Sequence, residues 1–218
     1  MGCFKSKSFE NIRRFSLVRS SVTYSIPEFG TGEAPGKLSA QELADVKSVV
    51  NMLRTEQLDL VVVSCMYDKL FETHHDIKQM FINAAFLDPE HTMGCSSDPW
   101  FQGFLKAFFN AIIKYILLQT DEGALVEFIA DLKESHQRIK GIHRRHVELM
   151  LQSLYMELVE KLGSSIDNRK RSAMEHLLAL LFHDALKFLP LSGDSAAPSA
   201  VIATSSSRWF NTVTADKT

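Results

Sequence analysis

Apolar residues recur at spacings of three and four through most of this chain. Leu43, Val46, Val50 and Leu53 follow Ser39 and Glu42, which form a capping box, and together they predict a first helix. A second is expected from near Thr55 to Phe71; its "LDLVVVSCM" is β-branched enough for a strand, but the stretch is too long for one. A short helix is expected near 76–81. Asp98 followed by Pro99 opens another, with Phe101, Phe104, Leu105, Phe108, Phe109, Ile112 and Ile116 along one face. Further helices are expected at 124–136, at 143–162 up to Gly163, and from Asp167, with Met174, Leu177, Leu178, Leu181, Ala185 and Phe188 on its apolar side. No hairpin or βαβ pattern appears, so the expected fold class is all-α.

The flanks are patterned differently. Residues 1–37 are rich in Ser, Arg, Lys, Gly and Pro without periodicity, and "SIPEFGTGEAPGK" reads as linker. Residues 191–218 are Ser/Ala/Thr-rich and follow Pro190, which predicts a disordered tail. The helical domain is placed at 38–190.

Composition narrows the function. The formal charge of −2 over 218 residues offers no basic excess for a nucleic acid partner. Cys3, Cys65 and Cys95 are few and far apart, as expected in a reducing compartment. No apolar run is expected to approach the roughly 20 residues that span a bilayer, and no secretory signal is evident. There is no phosphate loop, Cys-x-x-Cys pair or nucleophile elbow, so the chain is not read as an enzyme. Most histidines have an ordinary explanation: His74 and His75 at a helix end, "HRRH" at 143–146 as a solvated polar turn, and His176 and His183 as bystanders.

His136 has no such explanation. Ile129 and Leu132 set an apolar stripe whose next position is 136, where a leucine would continue the pattern. Imidazole is a natural axial ligand for a haem iron, and an all-α domain of about 150 residues is large enough to wrap one.

Several segments resemble the globin family in order and spacing. "LFETHHDIKQMF" (70–81) resembles the passage from the second globin helix into the third, with His75 in place of the usual helix-initiating proline and Phe81 at the haem-packing phenylalanine. Tyr67 falls at a pocket position fourteen residues earlier. "IADLKESHQRIKGI" (129–142) resembles the proximal segment, with Leu132 one turn before the histidine and Ile142 six residues after it. "LQSLYMELVEKLG" and the helix at 167–189 resemble the last two helices. The resemblance spans about 38–190 and implies haem b as cofactor, His136 as the iron ligand, and O2 or another diatomic as ligand.

On the other side of the pocket two registers are open. Counting without gaps from Phe81 puts Gln102 over the iron but turns Lys106 inward. A shift by two puts Phe104 there, with Phe108 as a further wall residue, and is preferred. Tyr67 would then be the one polar pocket group. Two phenylalanines could also crowd haem out, which keeps open a haem-free globin fold acting as an interaction module.

The N-terminal arm carries a separate signal. "MGCFKS" matches the N-myristoylation pattern at Gly2, and Cys3 beside it is a palmitoylation candidate. Five basic residues against Glu10 give the first twenty residues +4, which suits anionic membrane lipids. "RRFS" makes Ser16 a phosphorylation candidate. Divergent invertebrate globins, nematode ones especially, resemble this combination. The expectation is a haem-binding globin, lipid-anchored at the cytosolic face of the plasma membrane, with a local sensing, redox or electron-transfer role and a redox or signalling partner of unknown identity.

Overall fold

The computed structural model describes residues 29, 34–88, 98–137, 139–187 and 189. The arm and its Gly2, Cys3 and Ser16, the tail at 191–218, and Phe188 lie outside the described residues. Seven α-helices are formed among them: α1 Ala40–Thr55, α2 Asp59–Thr73, α3 His75–Asn83, α4 Pro99–Leu117, α5 Glu122–Gln137, α6 Arg144–Leu162 and α7 Asn168–Leu186. No strand occurs among the described residues.

Short polar side chains start the helices where the sequence offers them. At α1 the Ser39 hydroxyl accepts from the Glu42 N–H at 3.2 Å and Glu42 Oε2 accepts from the Ser39 N–H at 2.8 Å. Asp98 accepts from the Phe101 N–H at 3.2 Å, Asp121 from Ala124 at 3.1 Å and Asp167 from Lys170 at 2.9 Å. Each bond satisfies an amide that the helix's own ladder leaves open.

The second helix starts later than its apolar pattern implies. α1 runs on to Thr55, and the chain then turns through Gln57 at φ +57°, with the Leu58 N–H bonded to the Leu53 carbonyl at 2.7 Å. No glycine marks that turn, so the sequence hides it.

Polar bonds pin the helices to one another around the apolar core. Arg169 on α7 grips the buried Asp45 of α1 at 2.9 and 3.0 Å. Lys69 of α2 pairs with Glu157 and Glu160 of α6, Tyr155 of α6 donates to Glu175 of α7, and Tyr115 of α4 donates to Asp184 of α7 at 2.7 Å. α7 itself buries Ala173, Met174, Leu177, Leu178, Phe182 and Ala185.

Three expectations are corrected. Phe29, within the stretch read as linker, is only 3% exposed and packs on Phe182 with ring centroids 5.8 Å apart. The 143–146 turn is not simply solvated: His146 is 5% exposed, its Nε2 lies 3.3 Å from Asp76 Oδ2, and its ring lies 3.5 Å from that of His143, tilted by 30°. Finally, the helix spanning Phe101–Thr120 is long and apolar enough by composition to cross a membrane. Here it is a core helix, burying Phe101, Leu105, Phe109, Ile112 and Ile116.

Candidate functional site

α4 and α5 flank a cavity of about 130 Å³ that α3, α6, α7 and the α5–α6 turn complete. Its wall is apolar with one exception. His136 is the only lining residue with a polar side chain among those described.

The last turn of α5 fixes how that ring is presented. His136 Nδ1 lies 2.8 Å from the Leu132 carbonyl, four residues back on the same helix. A carbonyl can only accept, so Nδ1 carries the proton, and in the neutral ring the basic lone pair belongs to Nε2. Burial pushes the imidazole pKa below its ordinary value, against the opposing pull of the Leu132 bond. The ring is thereby held neutral and in one tautomer, the form that ligates a metal.

Opposite it stands a layer of phenylalanines. Phe81 of α3 and Phe104 of α4 meet edge-on at 5.1 Å, Phe86 lies 5.3 Å from Phe104, and Phe108 stacks along from Phe104 at 6.3 Å. All four line the cavity, as do Leu132 and Ile142. The structure therefore brings together His136, Phe81, Phe104, Phe108, Leu132 and Ile142. Of the two α4 registers it has the one with Phe104 at the cavity and Lys106 exposed; Gln102 is not in the wall.

Tyr67 is the exception. It is fully buried but not part of the lining; its ring sits 5.3, 5.5 and 5.7 Å from Phe81, Phe104 and Phe108. Those phenylalanines occupy the layer that would have let its hydroxyl reach the cavity. Its place is one layer behind the wall.

The pattern reading also missed part of the lining. Ala107 and Ala111 continue the Phe104–Phe108 face at spacings of three and four, and small residues there leave the space that the cavity occupies. Ile139 follows His136 by three. Phe86, Val147 and Met150 carry no comparable local signal.

The donor chemistry suits a porphyrin iron: one neutral imidazole with its lone pair on Nε2, in an otherwise apolar cleft between two helices. The globin family model matches residues 64–185, more than half of the chain, and the chain belongs to the globin family. No curated protein sequence matches it.

Proposed function

We propose that the cavity between α4 and α5 holds haem b, with His136 as the ligand to its iron. The observation that carries this reading is the Nδ1–Leu132 bond, which aligns a neutral imidazole as the sole polar side chain among the described residues of the wall. A bound haem would supply an iron that takes O2 or another diatomic gas and exchanges electrons. Leu132 and Ile142 would flank the ring from the His136 side, while Phe81, Phe86, Phe104 and Phe108 keep water out. These four side chains offer no N–H or O–H, so a ligand that gains negative charge on binding finds no donor among them. That disfavours tight O2 carriage and favours a sensing or redox role.

The place of action is proposed from the arm. Myristoylation of Gly2 alone gives marginal binding, with an association constant of about 10⁴ M⁻¹, and Cys3 with the basic residues would supply the second signal. Attachment to a cytosolic membrane face restricts the protein to a thin layer, which suits local chemistry better than bulk storage. Gly2→Ala should move the protein from the membrane fraction to the soluble one; unchanged fractionation would remove the tether from this reading.

One observation favours a second reading. The cavity is of the size that holds benzene, about 150 Å³ in an engineered case, rather than a porphyrin. A haem-free globin fold acting as an interaction module would keep that volume. The haem reading instead requires α5 to shift outward, and α5 buries only Phe128. Purified protein titrated with hemin decides between them: a Soret band present in wild type and lost in His136→Ala supports the haem site, and no band in either supports the module.

A further inference from the structure

His176, in the middle of α7, is bonded through both ring nitrogens. Its Nδ1 lies 2.8 Å from Glu42 Oε1 in the first turn of α1, and its Nε2 lies 2.9 Å from the Gly36 carbonyl. Neither partner offers a proton. A carbonyl oxygen only accepts, and the Glu42 carboxyl, held down to about 2 by Ser39 first and then by His176, is a carboxylate. Both nitrogens therefore donate, and only the imidazolium carries a proton on each.

The two bonds are unequal. A carboxylate binds an N–H more strongly than a neutral carbonyl does, so a ring that gives up one proton keeps Nδ1–H on Glu42 and bares Nε2. That lone pair then faces the Gly36 oxygen across 2.9 Å, and attraction becomes repulsion. Packing does not hold Gly36 in place: it is exposed, and an added Cβ there would meet nothing within 4 Å. The next residue, Lys37, reaches Glu122 in the first turn of α5 at 2.8 Å. Residues 36 and 37 thus form a strap from α7 to α5.

The charges around the ring leave it in control of this strap. From α1 the group facing it is Glu42, whose Oε2 is taken up by the Ser39 hydroxyl and N–H. From the strap, Gly36 faces it while Lys37 turns to Glu122. One turn away on α7, Ser172, Ala173, Ala179 and Leu180 carry no charge, and the adjacent Glu175 is bonded to Tyr155 of α6.

We infer that His176 is a proton-dependent clasp: as imidazolium it fastens the 36–37 strap to α7 and so keeps Lys37 on α5, and as neutral imidazole it lets the strap go. The direction follows from the donors. The strap is fastened at lower pH and released as pH rises through the interval in which imidazoles change charge, about pH 5 to 8. Release loosens α5 at the end opposite His136. On the haem reading above α5 is the helix that must shift, so this consequence rests on that reading: a rise in pH eases entry to the cavity.

The test follows the full-length protein, free of hemin, by 15N NMR at about pH 5 and about pH 8. Both His176 ring nitrogens should give the shift of a protonated nitrogen at the lower pH, and Nε2 alone should move to that of a bare lone pair at the higher. Backbone order at Gly36 and Lys37, read from the heteronuclear NOE, should fall over the same interval. The Leu125 N–H donates to the Asp121 carbonyl at 2.9 Å in the first turn of α5. Its protection, corrected for the intrinsic exchange rate, should fall roughly threefold, the modest step that an exposed ion pair supports. His176→Gln, uncharged at either pH, should show neither step, and Lys37→Ala should lose the Leu125 step alone. A bare ring nitrogen at the lower pH, equal order of Gly36 at both, or steps that survive in His176→Gln would overturn the clasp. A Leu125 step that persists in Lys37→Ala would overturn its connection to α5. All of these are read without hemin, so they succeed or fail apart from the hemin titration.

Discussion

α5 and α7 both border the cavity, yet they are held in opposite ways. α7 sinks six side chains into the core and is tied by polar bonds to α1, α4 and α6. Among its described residues α5 buries Phe128 alone, with Lys114 of α4 5.1 Å from the centroid of its ring, and its Lys37–Glu122 ion pair is exposed. The helix that carries the candidate ligand is thus the one that contributes least to holding the fold. Stability and site are assigned to different helices, and substitutions should separate them.

Leu177→Ala should show this most strongly. Leu177 is completely buried, and removing it should cost about 3 kcal/mol by chemical denaturation. Ile129→Ala, on the half-buried face of α5, should cost under about 1 kcal/mol. Equal costs would erase the contrast between the two helices. His136→Ala should likewise leave the denaturation midpoint within about 1 kcal/mol of wild type while abolishing hemin retention. A large loss of stability in the apoprotein would mean that the ring is chiefly structural.

Arg169→Ala removes the partner of the buried Asp45 carboxylate and should cost about 2 kcal/mol, less than a fully buried pair because the guanidinium is largely exposed. Unchanged stability would show that α1 does not depend on this clamp.

A smaller effect is expected where the middle of α7 meets the first turn of α1. The bonds from Ser39 first, and then from His176, hold the Glu42 carboxyl down from 4.5 to about 2. A carboxyl depressed on folding stabilises the native state above its unfolded value and loses that contribution as pH falls. Glu42→Gln should therefore destabilise by on the order of 1 kcal/mol at pH 7, allowing for solvent screening. The difference from wild type should shrink between pH 4.5 and 2. A difference independent of pH would refute the assignment.

Tyr67→Phe should do least. The ring contacts survive, and the hydroxyl lies behind the wall, so the ratio of O2 to CO dissociation rates of hemin-loaded, reduced protein should not change. A selective rise in O2 release would place that hydroxyl in the pocket after all.

The sequence made the helices legible because apolar periodicity and caps are local: Ser39, Asp98 and Asp167 each cap a helix within three residues of themselves. His136 was legible as the break in a stripe. What stayed hidden depends on distant partners. His146 is buried against Asp76, seventy residues away, and Phe29 against Phe182 at more than twice that separation. Tyr67, which the resemblance put in the pocket, is absent from the cavity wall because Phe81, Phe104 and Phe108 pack around its ring, contacts that come from two other helices and leave no local trace.

The seating of Phe29 also sets the length of a leash. With that ring in place, the chain at residue 29 is held on the surface of α7. With it released, the next fastening among the described residues is the Gly36 carbonyl on His176, seven residues later. Seven residues of extended chain reach up to about 25 Å. One aromatic contact therefore decides whether the chain at position 29 is held against α7 or ranges over a distance close to the length of a helix.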